Sequence, residues 1–218
     1  NVEGILLTPH TELIHQVDQE TLDAKIPNFT LVAAGVLAKS WAEITVGSGA
    51  NIEADADVTL DAESISNAQN TSIALSLGAS YVNPNATAKV TIEGDGLSGA
   101  TITAQGNFDM EATVDNTMGC VSRTPDLGPI SSNQVVGIQF AYGYARSTSE
   151  AIIQDGATVS AGNLSILAEN TNDFLTKIEG GTTSTVGAGL GVSVVLGDYG
   201  SIATAAVSGN ITATTGDM

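Results

Sequence analysis

The sequence is poor in cysteine and in aromatic residues, and each shortage excludes a kind of core. Cys120 is the only cysteine among 218 residues, so an internal disulfide cannot form and a disulfide-stapled scaffold is excluded. Phe, Trp and Tyr make up 4% of the residues, although hydrophobic residues make up 42%. The core is therefore expected to consist of Ala, Val, Ile and Leu, which suit thin, closely stacked β layers.

Basic residues and long apolar runs are also scarce. Six Lys and Arg stand against 24 Asp and Glu, which gives a formal net charge of -18. Nucleic acids and anionic membrane surfaces are bound through Lys and Arg, so neither is an expected partner. The most apolar tract, Val186 to Leu196, has 11 residues, whereas a membrane span needs about 20. No membrane insertion of this segment is expected.

A strict alternation of polar and apolar residues runs from Asn51 to Glu63, in the letters N-I-E-A-D-A-D-V-T-L-D-A-E. A period of two places alternate side chains on opposite faces of a strand, whereas a helix would spread the acids around its surface. The pattern predicts a long strand, or two strands meeting at a corner, with a buried face and an acidic wet face.

The same pattern recurs along the chain. Copies begin at Gly49, Gly99, Gly156 and Gly209, which are 50, 57 and 53 residues apart. Such a period is typical of solenoids. The predicted organisation is an irregular or capping segment at 1–28 and β-solenoid repeats over 29–218, at approximately 29–72, 73–116, 135–184 and 185–218, with an excursion at 117–134. Residues Thr11 to Ala24 in the first segment show partly helical spacing. Because the start lacks methionine and the end interrupts a repeat, we expect the rest of a longer chain on both sides.

These observations predict an all-β fold, a right-handed parallel β-helix with about two coils per repeat. Each coil would hold strands of about 4 to 6 residues, joined by corners at Gly, Asn and Asp. Ten asparagines are expected at these corners: Asn67, Asn70, Asn83, Asn85, Asn107, Asn116, Asn163, Asn170, Asn172 and Asn210. A β-sandwich or other repeated all-β domains are the alternative, since Asp155-Gly156 and Gly94-Asp95-Gly96 resemble hairpin turns.

The repeat resembles the β-helix repeats of large exported bacterial adhesins, the filamentous-haemagglutinin-like and autotransporter-type surface proteins. The matching text is G-L-G-V-S-V-V at 189–195 and E-A-I-I at 150–153, which runs into Gly156 to Asn170. The resemblance covers residues 29–218. It implies secretion, a rod-like stalk and attachment to a host or neighbouring cell surface, with glycans among the candidate partners. It implies an extracellular location on the bacterial surface and a role in virulence.

An acidic strand face suggests two kinds of chemistry, calcium binding and polysaccharide cleavage. Calcium needs six to eight converging oxygens, whereas the acids of a straight strand diverge, so no cofactor is expected and calcium is a secondary possibility. A polysaccharide lyase or glycosidase would need a basic residue beside clustered acids, and Lys89, Arg123, Arg146 and Lys177 adjoin no such cluster in the sequence. We therefore expect a structural stalk or adhesive segment without catalysis, with a carbohydrate-active enzyme or glycan-binding module as the alternative.

Partner contacts are expected at the excursion, which contains Arg123, and at Tyr142, Tyr144 and Arg146. Phe140, Tyr142 and Tyr144 share one face of a predicted strand directly after the excursion, in a chain with few aromatic residues. Tyr and Arg are enriched at binding hot spots. The alternative is that these aromatic side chains point inward and fill the core.

Overall fold

A computed structural model describes residues 12–13, 31–74, 77–124, 136–180 and 190–213. These residues form twelve strands, and no helix lies among them. The strands are β1 (Glu12–Leu13), β2 (Leu31–Val46), β3 (Asn51–Ala54), β4 (Val58–Ile73), β5 (Leu77–Ile92), β6 (Thr101–Ala104), β7 (Asn107–Arg123), β8 (Val136–Ile153), β9 (Thr158–Ala161), β10 (Asn163–Glu179), β11 (Leu190–Val207) and β12 (Asn210–Ala213).

The strands form three sheets that run along the molecule. Sheet A has the order β1-β2-β5-β8-β11, sheet B has the order β3-β6-β9-β12, and sheet C has the order β4-β7-β10. All pairings are parallel except that of β1 with β2, which is antiparallel. Coils 1 to 3 each take one long strand of sheet A, one short strand of sheet B and one long strand of sheet C, in the orders β2-β3-β4, β5-β6-β7 and β8-β9-β10. Coil 4 contributes β11 and β12 to the described residues. The predicted all-β parallel β-helix is therefore confirmed.

The internal repeat aligns equivalent side chains from coil to coil. Ile52 pairs with Ile102, which pairs in turn with Val159. In sheet C, Phe108 lies between Val58 and Leu164. The alternation also holds, since Leu60 and Ala62 are buried while Asp61 and Glu63 are exposed. Apart from Pro84 of β5, which has no N–H to donate, the residues of a middle strand can bond to the coils on either side, so equivalent strands stack in register.

The predicted number of coils was wrong. Pairing of Asn51 with Thr101 joins neighbouring strands, so each repeat of about 50 residues forms one coil rather than two. The long strands have 16 to 18 residues instead of the expected 4 to 6. The chain runs along sheet A, turns through a short strand of sheet B and returns along sheet C, so the two long sheets face each other. Hydrogen bonds between Ser64 and Ser40, and from Asn70 to the carbonyl of Ala34, join these opposed layers.

Two other expectations about chain organisation change. The predicted excursion at 117–134 is wrong over its first residues, because Thr117 to Arg123 continue strand β7; residues 125–134 lie outside the described residues. Of the segment with partly helical spacing, Glu12 and Leu13 form a strand against Val36 and Leu37, and the rest lies outside the described residues.

The interior holds two apolar clusters separated by polar side chains. The larger cluster adjoins sheet B and includes Val46, Ile92, Ile102, Phe108 and Met110. The smaller cluster lies towards the opposite edge of the coils and includes Val36, Val82, Met118 and Cys120. Three of the asparagines predicted at corners lie between the two clusters instead, within strands β7 and β10: Asn116, Asn170 and Asn172.

Candidate functional site

The outer face of sheet A is apolar and aromatic in the half where its strands begin. The cross-strand row Gly35, Tyr81, Tyr142 and Leu196 crosses all four coils. Leu196 in this row is 51% exposed, and the adjacent rows add the aliphatic side chains of Ile138, Val192 and Val194, which are 40 to 44% exposed. We call the surface formed by Tyr81, Phe140, Tyr142, Tyr144 and these aliphatic residues the aromatic patch.

Two tyrosines of neighbouring coils stack on each other in this patch. Tyr81 on β5 pairs with Tyr142 on β8, and their ring centroids are 5.5 Å apart with planes 29° from parallel. Phe140 lies two residues before Tyr142 on the same outer face, and all three side chains are half-buried. Side chains two residues apart on a strand are about 6.6 to 6.8 Å apart. Tyr81 and Tyr142 therefore form a stacked pair that spans two coils, and Phe140 is the next outward residue on β8.

Tyr144 and Arg146 contact each other, and Arg146 also bonds to coil 4. The guanidinium carbon of Arg146 lies 4.1 Å from the centre of the Tyr144 ring. The same guanidinium donates to the carboxylate of Asp198 at 2.9 Å and to its backbone carbonyl at 3.0 Å. Arg146 therefore ties β8 to β11, and its charge is neutralised in place. The Arg146 guanidinium therefore covers one face of the Tyr144 ring.

Arg123 lies apart from the predicted companions. It ends β7 on the outer face of sheet C, where its guanidinium is 3.7 Å from the Glu179 carboxylate. Tyr142, Tyr144 and Arg146 are on the outer face of sheet A, on the other side of the coil. The structure therefore brings Tyr142, Tyr144 and Arg146 together and separates Arg123 from them. Hydrogen bonding and charge attraction from Lys177, aided by Arg123, lower the pKa of Glu179 below its ordinary value.

The outer face of sheet C is acidic. Asp61 pairs directly with Glu111, and Asp109, Asp115 and Glu169 are further acids of this face. At the adjoining corner, the Asp57 carboxylate accepts the backbone N–H of Asn107 at 2.6 Å, and the Asp55 carboxylate accepts from Gln105 at 3.1 Å. Asp55 and Asp57 thus serve as acceptors between coils. Among the described residues, no group of three or more His, Cys, Asp or Glu could hold a metal ion.

Tyr81 is a member of the patch that the sequence reasoning missed. The sequence contained a signal for Tyr81, because Ala79-Ser80-Tyr81 aligns with Phe140-Ala141-Tyr142 in the alternating segments that form β5 and β8. Recognising that Tyr81 stacks on Tyr142 required knowing that these two segments are neighbouring strands rather than two coils apart.

Comparison with known proteins adds no relative. No protein-family model matches the chain, and neither a curated protein nor a solved structure matches it. In the described part of the chain, no helix has the length and hydropathy needed to cross a membrane.

Proposed function

We propose that this chain is a non-catalytic segment of a larger extracellular protein, a stalk that binds a neighbouring cell surface through the aromatic patch. The observation that carries the proposal is the difference between the two broad faces of the rod. Sheet A presents the rings of Tyr81, Phe140 and Tyr142, whereas sheet C presents acids such as Asp61, Glu63 and Glu111. An apolar surface rimmed by polar residues is typical of an interaction site.

The chemistry of the patch favours an uncharged glycan as the partner. Aromatic faces provide broad, rigid contact area with little loss of conformational entropy. The net charge of -18 repels acidic glycans, and Arg146, the nearest base on this face, is paired with Asp198. Neutral sugar rings, whose C–H faces are apolar, are therefore the class of ligand that the patch would accept.

A binding experiment with two double variants tests this proposal. Tyr81→Ala with Tyr142→Ala removes the stacked pair, and the matched control, Ile65→Ala with Ile73→Ala, removes two apolar side chains that are 54% and 50% exposed on sheet C. We expect the tyrosine variant alone to lose binding to immobilised neutral glycans and to cells, with circular dichroism unchanged in both. Equal binding by all three proteins would contradict the proposal. Hydrolysis or elimination of any polysaccharide, abolished by replacing one acid, would favour the carbohydrate-active enzyme instead.

A further inference from the structure

A band of polar side chains crosses the interior between the two apolar clusters, parallel to the long axis. Sheet C contributes the column Ser66, Asn116 and Asn172, which occupy equivalent positions in coils 1 to 3. Sheet A contributes Ser147 and Ser149 from the facing strand β8. We call this band, together with Asn170 of β10, the polar seam.

Part of the polar seam is a continuous hydrogen-bonded chain. Asn116 donates through its Nδ2 to the Arg146 carbonyl at 3.1 Å and to Ser147 Oγ at 3.0 Å. Ser147 donates in turn to Asn172 Oδ1. The chain continues into coil 4, where Asn172 and Asn170 each donate to Ser201 Oγ, at 3.1 and 3.0 Å.

Four polar atoms of the polar seam have no hydrogen-bond partner among the described residues. They are Ser66 Oγ, Asn116 Oδ1, Ser149 Oγ and Asn170 Oδ1. Ser66, Asn116 and Ser149 are at most 1% exposed, and the Asn170 oxygen is itself shielded from solvent. A buried polar atom without a partner costs about 1 to 3 kcal/mol, so each of these atoms requires an explanation.

The unpaired atoms fall into two neighbouring pairs, each with a hydroxyl and an amide oxygen. Ser66 and Asn116 are direct partners in adjacent parallel strands, which lie about 4.7 to 4.9 Å apart. Asn170 Nδ2 lies 3.5 Å from the carbonyl of Ser147 across the interior of coil 3, and Ser149 is the next inward residue of β8, so Ser149 and Asn170 occupy neighbouring positions. In each pair the amide oxygen can only accept and the hydroxyl can donate or accept.

We propose that each pair holds one ordered water molecule, which donates to the amide oxygen and bonds to the serine hydroxyl. Buried waters typically make about three hydrogen bonds to polar groups that otherwise lack partners. Water fits better than a metal ion, because these side chains are neutral and a bare charge in an apolar interior is strongly disfavoured. The two waters would extend the hydrogen-bonded chain from Ser66 in coil 1 to Ser201 in coil 4.

This arrangement would also fix the alignment of coils whose side chains are otherwise similar. A shift of one strand by two residues keeps every side chain on its own face, so alternation alone does not prevent it. In one direction such a shift would place Asn116 beside Ala68, which has no polar side-chain atom, rather than beside Ser66. The bridging water would then lose one of its partners.

A crystal structure of the unmodified chain and a count of long-lived waters test the proposal. In the crystal we expect an electron-density peak at hydrogen-bonding distance, about 2.7 to 3.2 Å, from both Ser66 Oγ and Asn116 Oδ1, and another between Ser149 and Asn170. A direct hydrogen bond between the two side chains, or an apolar gap between them, would overturn it. This measurement needs no variant, so it decides the question even if substitutions prevent folding.

The count uses oxygen-17 magnetic relaxation dispersion, which detects waters that stay inside the protein. Ser66→Ala with Asn116→Leu removes both partners of one site and should lower the count by one. Ser72→Ala is the matched control, because Ser72 lies on the same inward face of β4 and already bonds to Ser122 at 3.1 Å. The control should leave the count unchanged. An unchanged count in the double variant, or an equal loss in the control, would contradict the proposal.

Discussion

At the scale of single residues, the direction of each side chain decides its contribution to stability. Phe108 is fully buried between Val58 of coil 1 and Leu164 of coil 3, while its neighbour Asp109 points to water. Phe108 is the largest of the fully buried side chains among the described residues, so its truncation would leave a space that its closely packed neighbours could fill only in part.

Phe108→Ala is therefore expected to lower the free energy of unfolding by about 3 to 5 kcal/mol, the usual effect of truncating a buried Phe. Asp109→Ala on the outer face should change it by less than about 0.5 kcal/mol. Chemical denaturation followed by circular dichroism measures both. Similar values for the two variants would show that Phe108 does not occupy the core position.

Glycine at the corners is required by the close approach of neighbouring coils. A Cβ on Gly99 would overlap the backbone of Gly156 in the next coil, and backbone atoms cannot move aside as a flexible side chain would. A Cβ on Gly47, in the corresponding corner of coil 1, would meet nothing closer than the Glu93 carboxylate at 3.8 Å.

Gly99→Ala should accordingly destabilise the chain by about 1 to 3 kcal/mol, as overpacking does. Gly47→Ala should be close to neutral. The difference between their thermal unfolding midpoints is the measurement. If Gly99→Ala has the same thermal unfolding midpoint as the unmodified protein, the corner is less closely packed than the structure indicates.

At the scale of elements, the loop between β5 and β6 is held by hydrogen bonds to one of its own carboxylates. Asp95 follows β5 in the loop to β6, and its carboxylate accepts the backbone N–H groups of Ser98 and Leu97. These bonds, that of Ser98 first, lower the pKa of Asp95 below its ordinary value. A lowered pKa in the folded state means that the carboxylate stabilises the loop above the unfolded pKa of about 3.9, and that this stabilisation is lost as the pH falls through the folded pKa.

Acidification should therefore open this loop before it affects the strands. We expect the amide signals of Leu97 and Ser98 to shift below about pH 3.9 and to follow the Asp95 carboxyl carbon in an NMR titration. The same signals in Asp95→Ala should show no such step. A step of equal size in the variant would assign the change to another acid.

The faces of the strands could be predicted from the sequence, but their lengths could not. Alternation placed Leu60 inside and Asp61 outside correctly, and the ungapped repeat identified Ile102 as the partner of Ile52. The coil count failed because strands usually have about 5 to 6 residues, whereas these have 16 to 18. Asparagine was the misleading signal: it is typical of turns, yet Asn116 is fully buried within β7.

The candidate site was predictable in part, because alternation also shows which side chains share a face. The sequence showed that Phe140, Tyr142 and Tyr144 share a face, and the structure places that face outward. It could not show that Tyr81 would stack on Tyr142, since this depends on the neighbouring coil. Nor could it show that Arg146 bonds to Asp198, or that Arg123 lies on the opposite sheet beside Glu179. Both contacts join residues more than 50 positions apart.

At the scale of the whole molecule, a solenoid is stabilised mainly by contacts between adjacent coils, so whole coils are interchangeable units. Residues 51–100 comprise one complete period, since Asn51 and Thr101 occupy the same position in adjacent coils. Their removal would join Ala50 to Thr101 and make β2 the neighbour of β8. Equivalent inward residues would then meet the same partners: Val36 would replace Val82 opposite Met118, and Val46 would replace Ile92 near Phe108.

Deletion of residues 51–100 should therefore leave a folded β-helix that is one coil shorter. Its circular dichroism spectrum should keep the same shape, and its denaturant m-value should fall, because less surface is exposed on unfolding. Deletion of residues 51–75 provides the matched comparison, since it removes β3 and β4 but keeps β5. Strands β2 and β5 of sheet A would then follow each other directly, without the sheet B and sheet C strands that normally connect them. That variant should lose its cooperative unfolding transition. If it folded as well as the full-period deletion, the unit of the solenoid would be the half-length coil that we have rejected, and the stacking of Ile52 on Ile102 as nearest neighbours would be wrong.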